Sequence, residues 1–309
     1  MLSCVDYLLC SFSDECGGFL HQFCEDTHVI KNLVQIAEIE FPVSYLYEEC
    51  RSQEMLEEAN AYFNSVLQEK FRARGVKNER HEAQPPAWIS EEIALSIIDK
   101  FSTTNFTAER LPLLQEYECA AILGSTAPNM EERMKYLVYL LDDMDVKISH
   151  LFLLTGTREV DPSKYYDGSF EYIESVKEKY GVRVVSEKEL MQDVHDRICK
   201  QNAICGEIDF NLIFALKDSG RATTIDTLME FTKYHQKYHC VNTLYISVAP
   251  FIVYQNEIIA EFSNNYYKHN YETVGGKIDL NVIFSKQKIA HYLVMTFAEA
   301  FYAAQQRIT

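Results

Sequence analysis

The sequence predicts an α/β protein: a Rossmann-like, mainly parallel sheet with helices on both faces, plus an N-terminal helical region. Three observations carry this reading. From about residue 118 onward, short apolar runs alternate with longer segments of helical periodicity, the rhythm of a parallel sheet joined by helices. The runs at 119–123 and 150–154 each end in a cluster of Gly, Ser and Thr, which is how a strand hands a loop to the carboxyl edge of a sheet. Before that, from residue 1 to about 115, apolar residues recur three and four apart, as on one face of a helix.

In the first region, 29–38 and 54–71 carry this helical spacing. Ser90, Glu91 and Glu92 precede Ile93, Leu95, Ile97 and Ile98, a helix start with acids in its positive first turn. Between them, 72–86 is polar and ends in Pro85-Pro86, the best internal loop. Trp88, the single tryptophan, is expected to anchor packing. A boundary near 116 divides the chain into a helical region, 1–116, and an α/β domain, 117–309.

In that domain strands are expected at 119–123, 149–155, 182–185, 210–216 and 243–248. Helices are expected at 129–143, 168–179, 187–201, 223–238, 251–264 and 286–306. Gly275-Gly276 reads as a turn before a strand at 278–284, and Tyr266, Tyr267 and Tyr271 as a partly buried loop or a partner surface. No internal repeat or low-complexity tract interrupts the pattern.

Composition narrows the function classes. The chain has 309 residues, enough for a large core and two structural regions. Its formal charge of −17 argues against nucleic acid or an anionic membrane as a non-specific partner, because both need a basic surface. No apolar stretch approaches the roughly 20 residues of a membrane span, and the N-terminus lacks a signal peptide's basic start. A cytoplasmic protein is the expectation. Nine cysteines, an odd count without paired metal spacing, fit reduced thiols in such a compartment. Cys4, Cys10, Cys16 and Cys24 are six, six and eight apart and would not share one helix face. They read, like Cys199 and Cys205, as small buried hydrophobes. His235, His239 and Cys240 superficially suggest a metal, but a third ligand with suitable spacing is lacking, and no metal is expected.

Three strand ends would converge in a parallel sheet. The first supplies Gly124, Ser125, Thr126 and Asn129, with Arg133 one turn into the next helix; Asn129 and Glu132 have the spacing of a helix start with its capping partner. A helix N-terminus there favours an anionic group. The second supplies Thr155, Gly156, Thr157, Arg158 and Glu159, where Gly156 permits a tight turn and Arg158 and Glu159 offer a charge pair. The third is Arg221 followed by Thr223, Thr224, Ile225, Asp226 and Thr227, with Thr223 or Thr224 as cap and Asp226 complementing the helix's positive end. Neither a Walker GxxxxGK[ST] nor a GxGxxG accompanies these strands, and no Gly-x-Ser-x-Gly elbow is present.

The order of these pieces resembles the YdcF/SanA-like family of bacterial α/β proteins. That family shows a strand ending in Leu-Gly, an Arg on the next helix, a strand ending in Ser-Gly with a nearby Glu, an Arg-Asn-Thr-x-Glu-Asn segment, and a last strand followed by His and Arg. Here Leu123-Gly124, Arg133, Thr155-Gly156, Glu159, Arg221 with 223–227, and the run 244–248 followed by Ala249-Pro250-Phe251 occupy those places. The resemblance spans about 118–262. Two departures stand in it: the amides and Glu of the family's segment become Thr223-Thr224-Ile225-Asp226-Thr227, and Phe251 and Tyr254 stand where His and Arg would fall.

The resemblance implies a small-molecule pocket, with S-adenosylmethionine as the implied ligand, and transferase or hydrolase chemistry as its extension. The expected binding residues are Gly124, Ser125, Thr126, Asn129, Arg133, Gly156, Arg221 and Thr224. Arginines there pair with phosphate or carboxylate, and Glu159 and Asp226 are the acid/base candidates. The alternative is a catalytically degenerate α/β domain serving as a protein-interaction module, with the helical N-terminal region meeting the partner.

Overall fold

The computed structural model describes residues 33, 37, 44, 51–71, 84–102, 104, 106–160, 169–216, 222–277 and 285–308. The expected helix at 29–38, the strand at 278–284, most of the loop at 72–86, the four N-terminal cysteines and Arg221 lie wholly or largely outside them. No described helix is long and apolar enough to cross a membrane.

The chain divides into two compact units. One comprises Met1–Ala108, Ala249–Glu261 and Lys277–Thr309; the other comprises Glu109–Val248 and Phe262–Gly276. This differs from the expected single cut near 116, because two late helices group with the early ones.

In the helical unit, α1 (Gln53–Phe71) and α2 (Glu91–Ser102) share a core with later parts of the chain. Phe63, Phe71, Ile97 and Phe101 pack with Ile252, Val253, Leu293, Phe297 and Phe301 in one buried cluster. The Phe63 and Phe301 rings meet edge-on at 4.8 Å between centroids. Trp88 packs against this cluster, 5.8 Å from the Phe71 ring, with the Lys70 ammonium 5.6 Å above it. It is a packing residue.

The second unit holds the sheet. In chain order it contains β1 (Glu116–Leu123), α3 (Ala127–Asp142), β2 (Lys147–Thr155), α4 (Phe170–Tyr180), α5 (Glu187–Ile198), β3 (Phe210–Phe214), α6 (Thr224–Lys237) and β4 (Asn242–Val248). Helix α7 (Phe251–Asn265) begins in the helical unit and ends in this one. Then come β5 (Asn270–Gly276) and, back in the helical unit, α8 (Lys286–Ile308). The strands are all parallel, in the order β3-β2-β1-β4-β5. The fold is α/β and Rossmann-like, as the sequence predicts.

The apolar runs are continuous because both faces of the central strands are covered. Successive side chains alternate across a strand. Ala120, Ile122, Leu151, Leu153, Leu244 and Ile246 pack with Met130, Leu137 and Leu140 of α3 and Leu190 and Val194 of α5. Phe152 and Tyr245, on the other face, meet Phe231 of α6 at 5.0 and 6.2 Å. Each large buried side chain contributes roughly 2 kcal/mol by leaving water.

Two expectations fail locally. Residues 182–185 form no strand; the Val160 amide donates to the Val185 carbonyl at 2.8 Å in a loop that leads into α5. The stretch 270–276, read as loop and turn, is β5, with Gly275 and Gly276 at its end. Its polar residues and paired glycines disguise it, and it is held by pairing with β4. Arg110 closes its outer edge through a two-way backbone bridge to Gly275. Gly276 lies beside the Tyr136 ring, which a Cβ there would touch at 3.4 Å, an ordinary contact.

Cysteine pairing also differs from the reduced thiols expected. Cys119 of β1 and Cys240, just before β4, are joined by a disulfide; Cys199 and Cys205 are free and buried. Pairing of residues 121 apart in sequence follows from β1 and β4 being neighbours, which spacing does not reveal.

At the amino end of β4 the buried His235 ring bonds Thr243 Oγ1 at 2.9 Å and the Tyr267 hydroxyl at 3.1 Å. His269 faces the Tyr245 hydroxyl at 3.0 Å and the Tyr267 carbonyl at 2.9 Å, 5.0 Å from the His235 ring. Burial, aided by His269, pushes His235 down to about 4. Burial also lowers His269, against the opposing pull of the Tyr267 carbonyl. In the unfolded chain these rings return to an ordinary value near 6.5. Between pH 6.5 and 4 the unfolded state therefore binds more protons, and stability falls as pH falls. We predict that urea-unfolding stability drops by about 1 kcal/mol per pH unit below 6.5 for His235 alone. The slope should flatten in His235→Asn; a stability that is level or rising from pH 7 to 5 contradicts this.

Candidate functional site

The loops that follow β1, β2 and β3 at the carboxyl edge of the sheet belong to the sheet-bearing unit. Strand β1 is flanked by β2 and β4: the chain builds β2 and β3 on one side of β1, then β4 and β5 on the other. That reversal puts a topological switch between β1 and β4, the position outside which open α/β sheets bind ligands.

The β1 loop is fixed by contact with β2. The Gly124 amide donates to the Leu154 carbonyl at 2.5 Å. A Cβ on Gly124 would lie 2.8 Å from Thr155 Oγ1 and 3.0 Å from the Leu154 carbonyl, so only glycine lets the loop run this close to the end of β2. Helix α3 then starts at Ala127, with Thr126 as an extended N-cap that makes no side-chain cap bond and a proline in the first turn. Asn129 is thus inside the first turn, not at the start expected for it, and its amide donates to Ser125 Oγ at 3.1 Å. Ser125, Thr126 and Asn129 are each half-buried around that helix end.

Arg133 turns inward. It is 1% exposed, and its guanidinium donates to the Leu123 carbonyl and, at 3.3 Å, to that of Gly124. A buried arginine on these main-chain carbonyls holds the loop's path.

The β2 loop is fixed by a pair that the sequence reading divided wrongly. Arg158 does not pair with Glu159 in the contacts observed; its Nε donates to Glu187 Oε1 at 2.8 Å, with side-chain exposures of 13% and 4%. The Glu187 amide donates back to the Arg158 carbonyl at 2.9 Å. Glu159 is exposed and forms a backbone bridge with Ser186. A Cβ on Gly156 would sit 3.1 Å from Glu187 Oε2 and 3.7 Å from the Ala222 Cβ, so Gly156, Glu187 and the start of the third segment meet. Glu187 is the functional candidate that sequence reasoning missed. It lies in Ser186-Glu187-Lys188-Glu189, where Ser186 and Glu189 form the capping box of α5 and nothing local marks Glu187 itself.

In the third segment, Thr223 caps α6. Its amide and hydroxyl donate to Asp226 Oδ2 at 2.6 and 2.8 Å, while the Asp226 amide donates to Thr223 Oγ1 at 3.2 Å. Asp226 is thus a capping residue by geometry, and Thr224 occupies the first helical position. Arg221 lies outside the described residues.

The metal suggestion at His235, His239 and Cys240 dissolves into three separate roles: a buried hydrogen-bonded ring, an exposed residue and a disulfide partner. Among the described residues no group of three or more His, Cys, Asp or Glu could hold a metal ion.

These loops define the class: an α/β unit with a glycine-shaped carboxyl edge at a topological switch. No protein-family model matches the sequence, and no curated protein matches it.

Two substitutions test this construction. Gly124→Ala forces the β1 loop off the end of β2 and should cost about 2 kcal/mol in a urea melt. Glu187→Ala removes a buried, charge-assisted hydrogen bond from Arg158 and should cost about 2 kcal/mol; if the melt is unchanged, the pair does not hold this edge.

Proposed function

We propose that the sheet-bearing unit binds a small anionic or nucleotide-like ligand at the carboxyl ends of β1 and β2. One observation carries the reading: the switch beside β1 coincides with a loop, 124–126, whose glycine is pinned against Thr155 and whose next residues open a 16-residue helix. Amides at the start of α3 favour negative charge, and Ser125, Thr126 and Asn129 add hydroxyl and amide groups beside them. Gly156 lies on the loop after β2 and Thr224 opens α6, and Arg221, three residues before Thr224 in sequence, is the cation assigned to the ligand. Arg133 acts here as a positioning residue through the Leu123 and Gly124 carbonyls.

The resemblance to the YdcF/SanA-like family supports the same edge and makes S-adenosylmethionine the first ligand to try. Transferase or hydrolase chemistry would require an acid or base, and Glu187 joins Glu159 and Asp226 as a candidate. A second reading, a degenerate domain used for protein interaction, is favoured by Asp226, whose carboxylate is engaged in the α6 cap. It is favoured also by Phe251 and Tyr254, which stand where the family has His and Arg.

Thermal shift with S-adenosylmethionine, adenine nucleotides and sugar phosphates separates the two. At a hundredfold excess over the dissociation constant a ligand should stabilise by about 2.7 kcal/mol, and Arg221→Ala should weaken that shift. No response to any of the three classes would sink the pocket and leave the interaction reading.

A further inference from the structure

Cys119 lies within β1 and is fully buried, whereas Cys240 keeps 6% exposure in the turn between α6 and β4. Their Cα atoms are 5.7 Å apart, inside the range that a disulfide spans without backbone movement. The turn that delivers Cys240 is irregular. Helix α6 ends at Lys237, His239 takes a left-handed φ of 52°, unfavourable for a residue with a Cβ, and Val241 is 57% exposed. The same place is where the His235 cluster closes. The Cys240 amide donates to the His235 carbonyl at 3.2 Å, the His235 ring bonds Thr243, and Thr243 is the register partner of Cys119. Disulfide, turn, imidazole and strand pairing thus form one closed circuit.

We propose that Cys119 and Cys240 form a reversible disulfide that clasps the α6–β4 turn to the middle of the sheet and is opened and closed from the Cys240 side. A low-molecular-weight disulfide such as oxidised glutathione serves as the oxidant. The Cys240 thiolate attacks it, releases one glutathione thiol and leaves a mixed disulfide. The Cys119 thiolate then attacks the Cys240 sulfur and expels the second glutathione. Two protein thiols have lost two electrons, and glutathione has gained them together with two protons. Opening runs through a dithiol, which attacks the Cys240 sulfur and releases Cys119 as a thiolate that takes up a proton; the dithiol's second sulfur then frees Cys240 and closes a cyclic disulfide. Attack is assigned to Cys240 because, of the two buried residues, it keeps 6% exposure while Cys119 keeps none. Cys199 and Cys205 are an internal contrast: their mutual contact and burial push the Cys199 thiol up, which keeps it protonated and unreactive.

The test uses the full chain equilibrated with oxidised glutathione, then with dithiothreitol, and read by non-reducing peptide mapping, amide hydrogen exchange and thermal melting. The expected result is a 119–240 crosslinked peptide that disappears on reduction and returns on reoxidation. Reduction should speed exchange over 235–248 by roughly tenfold or more and lower Tm by roughly 10 °C, as expected for releasing so long a loop. Cys240→Ser, which leaves β1 intact, should melt near the reduced value and lose its response to dithiothreitol. Recovery of Cys119 and Cys240 as free thiols after oxidised glutathione overturns the proposal. So does a crosslink whose reduction leaves exchange over 235–248 unchanged.

Discussion

Strand β1 hydrogen-bonds to β2 along one edge, from Glu116 opposite Lys147 to Leu123 opposite Leu154, and to β4 along the other, from Cys119 opposite Thr243 to Ile122 opposite Ile246. Everything distinctive in the sheet-bearing unit follows from that double pairing. It makes β1 a central strand, whose two faces the helices then cover, and so requires its run of small and apolar residues. It ends β1 level with β2, so Gly124 must pass within van der Waals contact of Thr155. It places the switch point beside the same loop, and it brings Cys119 to Cys240. A residue of β1 thus answers to the helices above and below it and to two neighbouring strands, and the loop at its end inherits that rigidity.

The helices on one face are tied together by charge as well as by packing. Asp193 of α5 accepts from Lys179 and Tyr172 of α4 and from Arg197 of its own helix at 2.7 to 2.9 Å, and Arg197 reaches Glu131 of α3 at 2.6 Å. Burial raises the Asp193 carboxyl, but these donors together outweigh it and hold it below the ordinary range. Such a network fixes how α3, α4 and α5 lie across the sheet, and therefore where the loops at the carboxyl edge emerge. On the opposite face the ties are aromatic and imidazole contacts around Phe152, Phe231 and His235. One face is held by ion pairs at its rim, the other by neutral rings that resist protonation.

Much of the fold was legible in residue order. The runs at 119–123, 149–155, 210–214 and 243–248 are strands because short apolar segments there, most of them with β-branched or aromatic residues, are bounded by turn residues, and the helices between them keep their apolar spacing. Strand β5 was hidden because Asn270, Glu272 and the terminal glycines lack an apolar rhythm, and its identity depends on pairing with β4 and the bridge to Arg110. The candidate site was legible in outline. Gly124 and Gly156 were found from the turn residues after apolar runs, and the start of α6 from Thr223 or Thr224 as cap with Asp226 at the helix's positive end; that Thr223 and Asp226 bond each other is decided by the structure. Glu187 was not found: nothing local distinguishes a first-turn acid that complements a helix from one that also reaches across a loop to Arg158.

The sequence by itself determined the α/β class, the order of most of its elements, the places where glycine turns follow strands and the acidic balance of the chain. These are local properties, written in periodicity, turn chemistry and composition. Only the tertiary structure decided which acid meets Arg158, that Arg133 turns inward onto the Leu123 and Gly124 carbonyls, that late helices group with early ones, and that Cys119 meets Cys240. Each of those depends on which strands and helices become neighbours, and partners separated by tens to more than a hundred residues leave no trace in spacing along the chain.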